Sequence, residues 1–529
     1  MDQFGLNRDK AEQLLKQRFG LDRFYDEQWE TISRVLRGER LLLIERTGFG
    51  KSLCFQFPAM LFDGLTVVFS PLIALMRDQV NKLQALGIVA KCINSNQSDE
   101  ENMNVISDAK QGSVKILYIA PERQENMTWL EEVRHMKLSM VVVDEAHCIS
   151  VWGHDFRPAY RRIINLVNLL PKGLPVLATT ATATKRVEHD VASQITGELK
   201  VIRGNLLREN FRLYVVNVQS DDDKLIWLAQ NITKLDGTGI IYTGTVVETE
   251  LISKWYEFLK IPARSYNSRL DADTRKEVES GLLNNEWKCV ISTNALGMGI
   301  DKPDLRFIIH TQFPQSPVQY YQEIGRAGRD GLSTVIVLLY NPEDRDLPEA
   351  FIEGAKPSTA KYQRVIAAIQ NEMLGEKELM KRTNLGQTQI RVIRADLIDQ
   401  GIIREVYIGK SKKYEFIPNS KPFDPSFYDQ VREAKTKELN AMIEYAETSQ
   451  SRMSYLCEYL GDINDRDFNN CDNTGLAKHY VSSSPEWIEQ LNQFRLSYFP
   501  ELQVETEKSK LIDGVAGSYY GVSNVGAAI

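Results

Sequence analysis

Along the first two hundred residues, short uninterrupted apolar runs alternate with amphipathic helical stretches; the runs lie at 41–44, 66–69, 116–119, 140–143 and 175–178. Runs with no polar face predict strands buried on both sides, and helical stretches between them predict a parallel sheet with helices on both faces. A second set follows at 239–242, 288–292, 305–309 and 334–339. Two α/β units are therefore expected, at 1–205 and 206–345. Beyond them, amphipathic helices at 360–370, 376–383 and 387–400 precede short strands at 402–407 and 414–417. That is a winged-helix outline over 355–418, with a basic wing at 409–413. A small helical module is expected at 425–480. The tail, 481–529, opens on a linker at 482–485 and continues as a helix at 487–499 with exposed aromatics.

The first run empties into a glycine turn, LLLIERTGFGKS at 41–52. Thr47 opens the turn, and Gly48 and Gly50 let backbone N–H groups converge on anionic oxygens at a helix start. Lys51 would reach terminal phosphates and the Ser52 hydroxyl a magnesium ion. Glu45 stands where the strict phosphate-loop spacing has glycine. The run at 140–143 ends in Asp144-Glu145-Ala146-His147. One carboxylate, Asp144, suits magnesium, and the other, Glu145, suits orienting or deprotonating water. The second unit has no phosphate loop but carries Arg326 and Arg329, three apart and suited to grip a γ-phosphate. A small-residue loop, Ser292 to Asp301, precedes them, with Asp301 assigned to the nucleotide. Taken singly, these features read as a glycine turn before a core helix, an acidic surface pair, a basic turn and a glycine loop. Together they point to a nucleotide-hydrolysing cleft between two units.

Trp152 and Phe156 flank His154 and Asp155, with Arg157 beside them, directly after the carboxylate pair. Such residues either pack locally or stack on unpaired bases and meet phosphate. Net charge is −7, so any polyanion site must be a local basic surface. Six scattered cysteines fit a reducing compartment. The opening MDQFGLNRDKAEQLL lacks an apolar signal core, and no stretch is long enough to span a bilayer. An intracellular protein is expected, cytoplasmic and nucleoid-associated if bacterial.

At this point the chain resembles the RecQ family of DNA helicases, within helicase superfamily 2, over roughly residues 10–345. FGLDRFYDEQ is similar to the family's adenine motif, TGFGKSLCFQFPA to motif I and TVVFSPLIALMRDQV to motif Ia. DEAHCISVWGHDFRP resembles motif II with its aromatic-rich DNA-sensing loop. ATTATAT resembles motif III, ISTNALGMGIDKPD motif V and QEIGRAGRDG motif VI. The resemblance implies two RecA-like lobes, with ATP and Mg2+ as cofactors. It places Gln28 on adenine, Lys51 and Ser52 on phosphate and magnesium, Asp144 and Glu145 on metal and water, and Arg326 and Arg329 on the γ-phosphate. His147 would couple hydrolysis to motif III. The implied activity is ATP-dependent 3′ to 5′ unwinding in repair or recombination, on single-stranded and on tailed or forked duplex DNA; no membrane and no particular protein partner is implied. Two other readings stay open: an ATP-gated DNA clamp or annealing factor, and an RNA remodelling enzyme. Tyr25 stands where the family usually has arginine near adenine, Gly244-Thr245-Val246 replaces a Cys-Asn-Ser run, and Asn267 replaces a histidine.

Past residue 345 the family usually has a four-cysteine zinc module followed by a winged helix; here the order is reversed. Arg391 and Arg394 on the third helix, with wing residues Lys410, Lys412 and Lys413, would neutralise duplex phosphates, unless this is a packing domain with solvated charges. The stretch 451–462 resembles the helix that opens the zinc module, and Cys471-Asp472-Asn473 part of its end. Ser451, Phe468 and Thr474 fill cysteine positions, so zinc is not expected; Cys457, Cys471 and His479 are the remaining three-ligand option. The small-residue run at 514–522 is open between a disordered end and the entry to a phosphoribosyltransferase-like domain.

Overall fold

In a computed structural model of the protein, the described residues are 5–121, 132–133, 135–150, 159–195, 197–296, 302–354, 356–409, 411–462 and 468–498, with short strands at 501–502, 514–517 and 525–528. Each apolar run forms a strand, because a segment apolar on both faces is stable only between two layers of helices. In the first lobe these are β1 (Arg40–Ile44), β2 (Leu65–Phe69), β3 (Ala90–Ile93), β4 (Ile116–Ile119), β5 (Leu138–Val143), β6 (Val176–Thr180) and β7 (Leu199–Arg203). They pair in parallel in the order β3-β4-β2-β5-β6-β1-β7. Alternate residues feed opposite cores: Leu42 and Ile44 join Val67, Val141 and Ala178 on one face, while Leu41 and Leu43 join Val68, Val142 and Leu177 on the other.

The second lobe repeats the plan with β8 (Phe211–Asn217), β9 (Thr238–Tyr242), β10 (Ala263–Tyr266), β11 (Cys289–Ser292), β12 (Leu305–His310) and β13 (Thr334–Tyr340), all parallel, in the order β10-β11-β9-β12-β13-β8. The sequence pattern does not find β3, β7, β8 or β10. These four are the edges of the two sheets. In β3, β7 and β10 polar residues break the continuous apolar signal, as edge strands often do; β7, for example, buries only Ile202 fully, whereas β8 is apolar and buried from Leu213 to Val216.

The chain forms two compact units, residues 1–344 with 442–529, and residues 345–441. The second contains helices Thr359–Ile369, Glu376–Thr383 and Gln387–Asp399, then an antiparallel hairpin of β14 (Ile403–Ile408) and β15 (Ser411–Phe416). Tyr362, Leu379, Ile393, Leu397 and Tyr414 form its core. This is the element order expected for a winged helix.

Residues 442–498 fold against the second lobe. Cys471 bridges Leu213 on the open edge of β8, and the Asp472 carboxylate accepts from Val215 N at 3.1 Å. The helix Pro485–Tyr498 corrects an expectation: its aromatic residues Trp487, Phe494 and Tyr498 are not exposed. Trp487, Leu491, Phe494 and Tyr498 lie on one helical face, and Leu491 and Phe494 are buried in the lobe core, with the Phe494 ring 5.0 Å from that of Trp255. Helical spacing announces a stripe but not the surface that covers it. No helix among the described residues is long and apolar enough to cross a membrane.

Phe494→Ala should therefore lower the unfolding free energy of the second lobe by about 3 kcal/mol, the usual cost of deleting a buried ring. The check is the denaturant midpoint followed through tryptophan fluorescence, since Trp255 loses its neighbour.

Candidate nucleotide site

Parallel strands deliver their carboxyl ends to one edge, and here β2, β5, β6 and β1 end side by side. The turn after β1 has Gly48 at φ 80° and Gly50 at φ 86°, a conformation that suits glycine. A Cβ on Gly50 would also lie 2.9 Å from the Gln28 amide nitrogen. Lys51 points back into its own loop and donates to the carbonyls of Glu45 (2.8 Å) and Arg46 (3.1 Å). Burial lowers its pKa against the opposing pull of Glu145 and Asp144. Ser52 starts the helix Leu53–Leu61 without using its hydroxyl as a cap. Gln28 is buried, donates to the Phe49 carbonyl at 2.9 Å and accepts from Tyr25 N at 3.0 Å. The Tyr25 ring is exposed and stacks on Phe49, with centroids 5.5 Å apart. Tyr25 and Gln28, which the resemblance assigns to adenine, therefore meet the glycine turn at Phe49.

Asp144 follows β5. Thr179 donates to one of its oxygens at 2.7 Å and Ser70 to the other at 3.3 Å. Burial and the adjacent Glu145 push its pKa up to about 6. Glu145 sits at φ 50°, a left-handed conformation costly for glutamate and of the kind concentrated at functional sites. Burial raises its pKa, but His147, Lys51 and Arg326 outweigh that and hold it below the ordinary value. His147 Nδ1 lies 3.2 Å from Glu145 Oε2 and 3.0 Å from the Thr180 hydroxyl. That hydroxyl donates to the Thr182 carbonyl at 3.1 Å, so it accepts from His147 and places the ring proton on Nδ1. Gln322 of the second lobe donates to the Thr182 hydroxyl at 2.7 Å. A continuous chain of contacts thus runs from Glu145 to the segment that carries the two arginines.

That segment touches the phosphate turn directly. The Thr47 hydroxyl donates to the Gly325 carbonyl at 2.7 Å, and a Cβ on Gly48 would lie 3.2 Å from the Arg329 side chain. Arg326 and Arg329 are both half-buried, and their charges are felt at Glu145 and Lys51 respectively. The sequence pattern gives no sign of Arg208 here and marks Glu45 only as a departure from the loop spacing, not as a buried group. Arg208, in the segment joining the lobes, bonds both sides of this junction; no motif marks it. Glu45 is only 1% exposed, and a Cβ on Gly204 would collide with its carboxyl. Burial, with Glu27 adding, raises its pKa from 4.5 to about 7.

Other expected residues lie elsewhere. Asp301, Trp152, His154, Phe156, Arg157 and Lys410 fall outside the described residues. In the 345–441 unit, Glu376 gathers Arg391 (3.3 Å) and Arg394 (2.9 Å), Glu405 takes Lys412 (2.7 Å) and Glu378 takes Lys413 (3.6 Å). Any phosphate bound there would compete with these carboxylates.

The chain matches the DEAD/DEAH box helicase family over 25–191, the helicase conserved C-terminal domain over 223–331 and the RecQ zinc-binding family over 411–474. It is 41% identical over 350 residues to the ATP-dependent DNA helicase RecQ of Bacillus subtilis, a match covering 66% of this chain and 59% of that protein. The probable ATP-dependent DNA helicase RecS of the same organism is 36% identical over 398 residues, which cover 73% of this chain and 78% of the relative. The chain belongs to the RecQ helicase family. It spans 59% and 56% of the lengths of the RecQ proteins of Bacillus subtilis and Pasteurella multocida. Among solved structures, this RecQ-family chain shares its fold with Mycobacterium smegmatis helicase Lhr bound to ssDNA and AMP-PNP (TM-score 0.51, 16% identity, 80% of this chain and 60% of that one). The DUF1998 helicase MrfA bound to DNA gives a TM-score of 0.53 at 19% identity, covering 78% of this chain and 63% of that one.

The zinc implied by the family does not fit the residues present. Ser451, Phe468 and Thr474 supply no thiolate, and Cys471 Sγ lies 3.0 Å from the Thr474 hydroxyl. His479 packs against the Tyr214 ring at 4.6 Å, and among the described residues no group of three or more His, Cys, Asp or Glu could hold a metal. Arg452 and Asp472, 4% and 2% exposed, form a two-pronged ion pair instead, and Arg452 also donates to the Tyr445 carbonyl at 2.9 Å.

A chelator should leave the melting temperature unchanged, and metal analysis should return well under one zinc per chain. Asp472→Asn, which leaves Arg452 unpaired, should cost roughly 3–5 kcal/mol in a denaturant titration. Glu45 makes a pH prediction. Its folded pKa lies above the unfolded one, so the unfolded chain releases the proton first and stability falls as pH rises from about 4.5 through 7. Glu45→Gln should stabilise the protein at about pH 8 by roughly 3 kcal/mol, with the gain shrinking towards zero below about pH 5 in paired thermal melts.

Proposed function

We propose that this chain is an ATP-dependent DNA helicase that moves 3′ to 5′ along single-stranded DNA and separates duplexes, inside the cell, in repair or recombination. The observation that carries the reading is the path from Glu145 through His147, Thr180 and Thr182 to Gln322, which joins the hydrolytic carboxylate of one lobe to the arginine segment of the other. In this reading Tyr25 and Gln28 hold the adenine, and Thr47, Gly48 and Gly50 surround the phosphates. Lys51 exchanges its loop carbonyls for the terminal phosphate oxygens. Ser52 and Asp144 are hard oxygen donors suited to Mg2+, which when bound neutralises charge on the β- and γ-phosphates. Glu145, kept ionised by His147, Lys51 and Arg326, orients and deprotonates the attacking water.

Arg326 and Arg329 stabilise the charge that develops on the transferred phosphoryl group. Once that anion leaves, the two arginines lose their shared partner and the Gln322 contact with Thr182 can change. Hydrolysis in one lobe is thereby converted into movement of the other. The segment holding Trp152, His154, Phe156 and Arg157 follows His147 closely in the chain, so a base stacked there would bear on the same path. The names of the curated relatives, ATP-dependent DNA helicases, support this reading.

Lys51→Ala should lower DNA-stimulated ATP turnover by about a hundredfold or more while leaving the melting temperature unchanged. ATP hydrolysis measured with DNA and with RNA, beside unwinding of duplexes bearing 3′ or 5′ tails, tests the whole reading. Stimulation by single-stranded DNA with unwinding from the 3′ tail is expected. Hydrolysis without unwinding, preferential stimulation by RNA, or full turnover in Lys51→Ala would overturn it.

A further inference from the structure

Arg208 lies in the segment that connects the two lobes, and it is 5% exposed. One nitrogen of its guanidinium donates to the Thr47 carbonyl of the phosphate turn at 3.2 Å. Another donates to the carbonyls of Ala327 (2.8 Å) and Gly328 (3.1 Å), between the two arginines of the second lobe. The guanidinium also lies 4.4 Å from the centre of the Phe211 ring. Among the described residues no carboxylate pairs with it. Burial lowers its pKa to about 10, and Arg46 and Arg329 push in the same direction, so it stays charged at neutral pH. A buried cation held only by carbonyl dipoles is expensive, and a fork that reaches two separate backbones at once accounts for arginine at this position.

Its neighbours serve the same turn. Asn210 donates to the carbonyls of Gly328 and Leu332, both at 2.9 Å, and the Tyr321 hydroxyl donates to the Leu206 carbonyl. Gly328 adopts φ 58°, and a Cβ there would strike Asn210 and Thr334. The connector is therefore the backing against which the arginine turn is folded, and the Arg208 side chain reaches through to the phosphate turn.

We infer that Arg208 is a positioning residue: it sets the distance between the phosphate turn of the first lobe and the Gly325–Arg329 turn of the second, and so places Arg326 and Arg329 for phosphoryl transfer. The contacts described for its guanidinium are to protein groups, so it acts through the two turns it bonds. This inference rests on the ATPase reading for its kinetic consequence but not for its structural one.

Two measurements on the full chain, made on Arg208 and on its Arg208→Lys and Arg208→Met variants, test it. In DNA-stimulated ATP hydrolysis both variants should lose about ten- to a hundredfold in kcat, with KM for ATP within about threefold of the parent, because Tyr25, Gln28 and Lys51 keep their own contacts while the arginines are misplaced. Lysine keeps the charge but cannot bond both turns, so rescue of kcat by Arg208→Lys would overturn the inference. Independently of turnover, spin labels on Lys172→Cys and Lys276→Cys, exposed sites on the two lobes, report the interlobe distance; the six native cysteines are all buried. A single narrow distance is expected with Arg208 and a broadened or shifted one in both variants. Unchanged distances would overturn the inference, whereas broadened distances in a chain whose parent hydrolyses no ATP would uphold it and count against the helicase reading alone.

Discussion

The parallel pairing of β2, β5, β6 and β1 is the constraint on which the site depends. Ile44 lies opposite Thr180, Val143 opposite Ala178 and Phe69 opposite Val143, so four chain segments leave the sheet at one edge within reach of each other. Because Ala178 is level with Val143, the next residue, Thr179, comes beside Asp144 and donates to it. A shift of one residue in that pairing would turn Thr179 to the other face and leave the carboxylate buried without its donor. The apolar faces of these strands, locked into two separate cores, are what forbid such a slip.

On this frame the electrostatics are unbalanced in one direction. Among the described residues, Lys51, Arg46, Arg208, Arg326 and Arg329 converge on a volume that holds the carboxylates Glu45, Asp144 and Glu145, with Glu27 acting on Glu45, and both Glu45 and Asp144 have raised pKa values. Surplus positive charge under partial burial favours a polyanion such as a triphosphate. It also explains why the lobes meet through backbone carbonyls: dipoles accept hydrogen bonds from the cations without adding the negative charge that a nucleotide would have to displace.

The segment from 442 to 498 handles a different problem. β8 is an open edge of the second sheet, and Asn470, Cys471 and Asp472 cover it with backbone and carboxylate bonds. The family's zinc module supplies rigidity through metal, whereas here the Arg452–Asp472 pair holds the same stretch, with Phe468 buried at a position where the family has cysteine. Both charges are fully engaged, which is the condition under which a buried pair is tolerated.

The interior strands and the residues at their ends were legible because burial on two faces leaves a continuous apolar run and because phosphate and magnesium chemistry needs particular residue types at short spacing. Gly48, Gly50, Lys51, Ser52, Asp144 and Glu145 are such a case, and the structure brings them together. Gln28 and His147 were legible only through family resemblance, since one buried amide and one imidazole carry no pattern of their own. The four edge strands, the buried helix face of Leu491 and Phe494, the raised pKa of Glu45 and the bridging role of Arg208 were not legible. Each depends on a partner more than a hundred residues away in the chain, or on a layer that covers a face, and local sequence records neither. What the sequence by itself determined is the set of chemical groups and the strands that carry them; which groups share a charge, a hydrogen bond or a buried face was decided by tertiary packing, because those energies depend on distance and desolvation, and both exist only once the lobes are folded and joined.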